Sequence, residues 1–437
     1  MTAGRRILVV SYFYPPDLSV GGNRWSAMAH HLRSLGHEVT VLTTGAHGRL
    51  ADDGDWVIRT TDLQASDTLR RVLRRPAREG HGGAGAKGGA IGAAAGPPPK
   101  LLNQGVVPDA HAVSWLPFAV KAARSIIGQR AIECVVTSAP PDSVALLPLM
   151  LGRSRPAWVA DFRDGWRFEP LRGAWPTGAQ DYIDSWMERR VARSAEIIIG
   201  ATRPIAEDFE ARFGARSAYV PNAWDPALEE AVAAESGSLE LPKGGFNLVH
   251  TGGLSVGSVG RDPKWLFAAM RQLLDERGES ARRLRLVLIG AREPECERLI
   301  DQIGVRELVE ILGPQPRLKA LAAQRAADAL LLLTAPGYVS HASGKLCEYL
   351  VAGPPILALA EGNEAARIVA ETGSGVAVAP DDVGAIADAL GRLLGGKLAA
   401  GGRVDDELAR YVYPAPALAV AELIEQAISC RSEGRRA

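Results

Sequence analysis

Cysteine is scarce in this chain: Cys134, Cys296, Cys347 and Cys430 are the only four in 437 residues, and they stand far apart. Such spacing supplies neither a disulfide framework nor the paired ligands of a zinc site, and it points to a reducing cytoplasm. Excess charge of either sign is missing too. Fifty Lys and Arg balance fifty Asp and Glu, which removes the electrostatic footprint of a dedicated nucleic-acid binder and makes any phosphate recognition local. No apolar run reaches the about 18 residues of a membrane span. The opening MTAGRRILVVSYFYPPD is stopped by Pro15, Pro16 and Asp17 before a secretory signal develops.

What is present is length and a repeating pattern. A chain of 437 residues exceeds one ordinary domain, and the usual size of domains suggests two. The runs RILVVS, HEVTVLTT, ECVVTS, AWVADF, AEIIIGA and SAYVPN are separated by amphipathic stretches, the pattern of a parallel βαβ series. In the first such stretch Trp25, Met28, Ala29, Leu32 and Leu35 recur at helical spacing and Gly36 offers a C-cap. After a polar stretch from Ala223 to Gly245 the series restarts with FNLVHTGG, RLVLIG, LVEILG, DALLLLT, PPILALA and SGVAVAP. The expected fold is α/β with two doubly wound parallel-sheet domains, at 1–222 and 223–412. Residues 413–437 should form a C-terminal helix, returning to the first domain, and a basic tail. Residues 76–100, mostly Gly, Ala and Pro, lack side chains to bury and read as a flexible insertion.

In an open parallel sheet, ligands gather at the carboxyl ends of the strands, where helix N-termini face the cleft. Three loops have the right character. YPPDLSVGGN places Gly21 and Gly22 just before a helix, where they allow either a tight turn or a close backbone approach to an anion. In HTGGLSVGSVGRDPKWLF, Gly252 and Gly253 lead to Asp262 as N-cap and Pro263 as N1, with Arg261 and Lys264 beside the helix start. Cations there oppose the macrodipole; an anionic ligand would reverse that, and extension into water is the alternative. In SGKLCEYLVAGPPILAL, Ser343 caps a short helix, Gly344 admits a ligand to the backbone, Lys345 adds charge, and Glu348 lies one turn along. A diphosphate at this N-terminus would leave its ribose about 5 Å away, within reach of a carboxylate. A plain solvent-facing Lys345/Glu348 pair is the competing reading.

These segments together resemble the nucleotide-sugar-dependent glycosyltransferases of family 4, which have the GT-B architecture of two Rossmann-like domains facing an interdomain cleft. YFYPPDLSVGGNRW with LRSLGHEVTVLTT is similar to the family's amino-terminal loop and second strand, VPNAWD at 220–225 to its crossover signature, and the HTGG loop with KLCEYLVAGPPILAL to the two halves of its donor site. TSAPPDS and ADFRDGW resemble loops of a bacterial subgroup acting in surface-polysaccharide or natural-product glycosylation. The resemblance implies a retaining transfer from a nucleoside-diphosphate sugar to a sugar, lipid-linked or small-molecule acceptor, without a bound metal or other cofactor. Glu348 would hold the donor ribose, Arg261 with Lys345 or Lys264 the diphosphate, and Gly21 and Gly22 would approach the reacting centre. His341, Ser343, Gly344 and Leu346 complete the donor set. Two positions depart from the family. Ser340 stands where many members have the first Glu of a Glu-x7-Glu pattern, with His341 beside it as a substitute, and Ser138 or Asp142 lies near the place of a usual histidine.

For the chemistry, Asp161, Arg163 and Asp164 cluster at one strand end, where Asp164 could orient or deprotonate the acceptor and Arg163 pair with it or meet an anionic acceptor. A structural Arg163/Asp164 bridge is the plainer reading. Asp53-Gly54-Asp55 resembles a metal-binding aspartate motif but sits in a polar loop, and the surface-loop reading is preferred. Trp115, Trp166, Trp175 and Trp186 suit sugar rings or apolar aglycones as well as core packing. DYIDSWMERRVARS could touch anionic lipid at the inner membrane face, or be a solvated basic helix face. A GT-B nucleotide-sugar epimerase and a non-catalytic nucleotide-sugar binder remain as alternative functions.

Overall fold

The computed structural model describes residues 4–17, 20–51, 53–63, 106–110, 112–169, 174–258, 262–334, 337–397 and 402–433. The insertion at 76–100 and Arg261 lie outside them. The chain divides into two compact units, one of Met1–Gly200, Glu207–Ala218 and Ala421–Ala437, the other of Ala201–Ala206 and Tyr219–Val420.

The first unit is built on β1 (Arg6–Ser11), β2 (Glu38–Thr44), β3 (Val57–Thr60), β4 (Cys134–Ala139), β5 (Ala157–Phe162), β6 (Ile197–Gly200) and β7 (Ser217–Tyr219), in the order β3-β2-β1-β4-β5-β6-β7. Pairing is parallel from β3 through to β6. Six of these strands coincide with the β-branched runs of the sequence. The short edge strand β3, VIRT amid polar residues, carries too few apolar side chains to announce itself.

The second unit repeats the plan with β8 (Phe246–Thr251), β9 (Leu284–Ile289), β10 (Val309–Ile311), β11 (Ala329–Leu333), β12 (Ile356–Leu359) and β13 (Gly375–Val378), ordered β10-β9-β8-β11-β12-β13 and parallel throughout. Successive residues of a strand point to opposite faces. Leu248, Leu286, Leu331 and Leu357 accordingly enter one apolar cluster, while Val249, Val287, Leu330 and Ile356 enter the other. Helices must therefore cover both faces, which is why the strands read as continuous apolar runs.

In each sheet the chain order reverses once, between β1 and β4 and between β8 and β11. The loops after these four strands are where an open parallel sheet receives ligands.

Candidate active site

In the second unit the loops after β8 and β11 meet. Gly252 has φ +119° and a Cβ built there would lie 2.3 Å from Lys345 Nζ. Only glycine fits both the left-handed backbone and the lysine resting on it. Gly253 carries no such constraint, since the nearest atom to a Cβ there would be Ala291 Cβ at 3.8 Å. Lys345 belongs to the first turn of helix Gly344–Ala352, so a cation from one loop lies directly on the backbone of the other.

That helix is anchored from below. Leu346, Cys347, Tyr349 and Leu350 are buried, and Leu346 packs in the cluster containing Val249, which leaves its backbone as the part able to meet a ligand. The Tyr349 hydroxyl accepts from Thr251 N–H at 3.0 Å and shares a bond with Thr251 Oγ1 at 3.1 Å. Burial pushes the Tyr349 phenol up to about 12, so it stays neutral and fixes the helix to the end of β8. Glu348, one turn beyond Lys345, keeps 22% of its side chain accessible. Its two oxygens face Gln324 Nε2 at 3.3 Å and Arg317 at 3.4 Å. Gln324 is 1% exposed and also donates to Thr251 Oγ1 at 3.0 Å, tying the carboxylate to the same strand end. Gln324 and Arg317 lie on helix Arg317–Arg325; nothing in the run LAAQRAADA marks a buried polar residue as part of a site.

Ser343 occupies the N-cap position with extended backbone, yet its hydroxyl makes no capping bond and is buried without a hydrogen-bond partner among the described residues. The expected cap is therefore positional only. His341 sits in the preceding loop, where its carbonyl accepts from Ala365 N at 3.1 Å. His250 on β8 is 3% exposed, with Nδ1 2.9 Å from the Leu331 carbonyl.

Helix Lys264–Arg277 starts one residue later than expected. Asp262 still performs the capping, accepting from Lys264 N at 3.1 Å and from Gly257 N at 3.0 Å. The Lys264 ammonium lies 4.0 Å from Asp262 and 4.8 Å from the Trp265 ring centre. A local carboxylate and a ring thus lie beside it, and half of its side chain stays exposed.

In the first unit Gly21 and Gly22 lie inside helix Val20–Ser34, not in a loop before it. A Cβ on Gly21 would collide with the Arg163 guanidinium, so the glycine makes room for that arginine. Arg163 donates through Nε to the Ala139 carbonyl at 3.3 Å and also to the Pro140 carbonyl. The proposed Arg163/Asp164 bridge is not formed. Asp164 carries no hydrogen bond or ion pair among the described residues and is exposed. Its side chain keeps solvent access while the surrounding protein crowds out bulk water, which pushes its pKa above the usual carboxylate value against the pull of Arg163. Asp161 is different: fully buried on β5, it takes two bonds from Arg24, at 2.8 and 3.2 Å, and one from Trp25 Nε1 at 2.7 Å. It is a structural anchor, and its partner Arg24 had no signal in the sequence.

Other candidates resolve as packing. Trp115 is buried and donates to Thr60 Oγ1, and Trp166 is buried against Asp184, so neither offers a face to a sugar. Asp53 is neither a free loop acid nor poised for a metal: it forms a near-buried bidentate pair with Arg59 at 2.6 and 3.0 Å. Among the described residues no three His, Cys, Asp or Glu side chains converge.

Two family models match the chain, a glycosyl transferase 4-like domain over residues 21–223 and glycosyl transferases group 1 over residues 246–395. No curated protein matches it. Among solved structures it is similar to sucrose-phosphate synthase from Thermosynechococcus elongatus, at 15% identity over 98% of this chain and 100% of that one, TM-score 0.64. It is also similar to α,α-trehalose 6-phosphate synthase from Burkholderia multivorans, at 14% identity over 99% of each chain, TM-score 0.62. A glycosyltransferase from Rickettsia africae matches at 11% identity over 97% of this chain and 99% of that one, TM-score 0.58.

Proposed function

We propose, from the premise that this chain carries the two domains of a GT-B glycosyltransferase, that it transfers a sugar from a nucleoside-diphosphate donor to an acceptor hydroxyl with retention of configuration. The observation that carries the donor assignment is Lys345 lying on Gly252 with Glu348 one turn further on, backed by Gln324 and Arg317. The N-terminus of helix Gly344–Ala352 presents amide N–H groups that its cap side chain does not take, and a pyrophosphate satisfies them. Lys345 and Arg261 neutralise the departing diphosphate, so that no metal is required. Glu348, already oriented, accepts hydrogen bonds from the ribose hydroxyls.

On the acceptor side Asp164 is the group suited to orient the hydroxyl or take its proton. It is unpaired, accessible and has a raised pKa, which brings a carboxylate nearer the range where it works as a general base. Arg163, held by backbone carbonyls, fixes the loop that carries it.

A panel of nucleoside diphosphates read by thermal shift tests the donor site. The cognate nucleotide at 100 times its Kd should stabilise the protein by about 2.7 kcal/mol. Glu348→Ala should abolish that shift, and an undiminished shift would remove the ribose from this helix.

A further inference from the structure

Helix Gly178–Ala192 is built inside out. Its inward face carries acids. Asp184, 1% exposed, accepts from Trp166 Nε1 at 2.9 Å and from Arg167 at 3.1 Å. Glu188, also 1% exposed, takes two bonds from Arg212 at 2.7 and 2.8 Å. Asp181, the third acid, pairs with Arg167 at 2.9 Å.

The outward face carries what a soluble helix normally hides. At about 100° per residue, Tyr182, Ile183, Trp186, Arg189, Arg190 and Arg193 fall within about a third of the circumference. Tyr182 is 71% exposed, Trp186 54% and Ile183 42%. The three arginines are exposed and have no ion pair among the described residues. Every acid of the helix is engaged on the other side, so no acid of this helix balances the cations of this face.

We propose that this face seats the protein peripherally on an anionic phospholipid surface. Tyr and Trp rings settle at headgroup level with their apolar bodies turned toward the acyl chains, and Ile183 adds apolar area between them. The arginines meet lipid phosphates while their stems lie along the interface. An aqueous nucleic-acid site is disfavoured by the charge balance of fifty against fifty. Among the described residues no helix is long and apolar enough to cross a membrane, so the contact is superficial. This inference does not depend on the transfer reaction.

The test is co-sedimentation of the full chain with vesicles of phosphatidylcholine alone and of phosphatidylcholine mixed with phosphatidylglycerol. The chain should bind the mixed vesicles, lose binding as salt rises, and leave the neutral ones in solution. Replacing Arg189, Arg190 and Arg193 together with Ser should lower partition by on the order of 100-fold. The pair Tyr182→Ser and Trp186→Ser should weaken binding while the remaining binding stays salt-sensitive. Both variants should keep the wild-type circular dichroism and nucleotide-induced thermal shift, since the face supports no core contact. Failure of the wild type to bind mixed vesicles overturns the proposal, as does undiminished binding by the triple arginine variant. A wild-type oligomer that the variants convert to monomer, without vesicle binding, overturns it in favour of a protein interface.

Discussion

Asp164 differs from its acidic neighbours in having nothing to do structurally. Asp161, three residues earlier, is saturated by Arg24 and Trp25, whereas Asp164 has an open carboxylate with a raised pKa. Ionising a group whose folded pKa lies above its ordinary value near 4 opposes folding. The stability concerned is present below the ordinary value and is lost as pH rises through the interval between those two values. Asp164→Asn should therefore leave Tm at neutral pH unchanged or raised, and lower turnover by about 100-fold or more. The acidic limb of the wild-type kcat/KM profile should disappear with it. A fall in neutral-pH Tm would instead make Asp164 a structural residue. Arg24→Leu is the contrasting substitution, because it leaves the Asp161 charge buried and unpaired; chemical denaturation should show a loss of about 3 to 5 kcal/mol.

At the scale of elements, helix Gly344–Ala352 is too short to persist by propensity, and its order comes from Tyr349 pinned to Thr251. Tyr349→Phe strands the Thr251 amide. A destabilisation of about 1 to 3 kcal/mol is expected by denaturant titration, with weaker nucleotide binding if the turn meets the phosphate as proposed, because it loses its anchor. The strands were legible in the sequence because burial on both faces demands unbroken apolar runs; β3 escaped, since an edge strand buries less. The site was legible in part. Local signatures of glycine, lysine and glutamate singled out Gly252, Lys345 and Glu348, which the structure brings to one strand end; their part in binding is a proposal. Gln324, Arg317 and Arg24 were invisible because their partners lie 24, 31 and 137 positions away, and no local pattern encodes such a meeting. The neighbours of Lys264, Asp262 and Trp265, are by contrast within two positions of it.

At the scale of the whole molecule, the chain visits its units in the order first, second, first, second, first. The last visit matters to stability. Within helix Ala415–Glu433, Ile424 and Ala427 are fully buried. Glu425 takes a fork of two bonds from Arg5 at 2.7 and 2.8 Å, and Arg431 lies 3.4 Å from Glu196. Removing residues 421–437 should lower the thermal transition of the first unit, followed by calorimetry, while the nucleotide shift of the second persists.

The Arg5–Glu425 fork also sets a timetable for synthesis. At about 5 to 20 residues per second, roughly 220 residues separate the appearance of Gly200 from that of the segment that finishes the same unit, a wait of about 10 to 45 s. A nascent chain must carry its opening sheet through that interval with the docking place of Ile424 and Ala427 bare. The half made first is thereby the half completed last, and its unfinished side is where a ribosome-bound chaperone would have its opportunity.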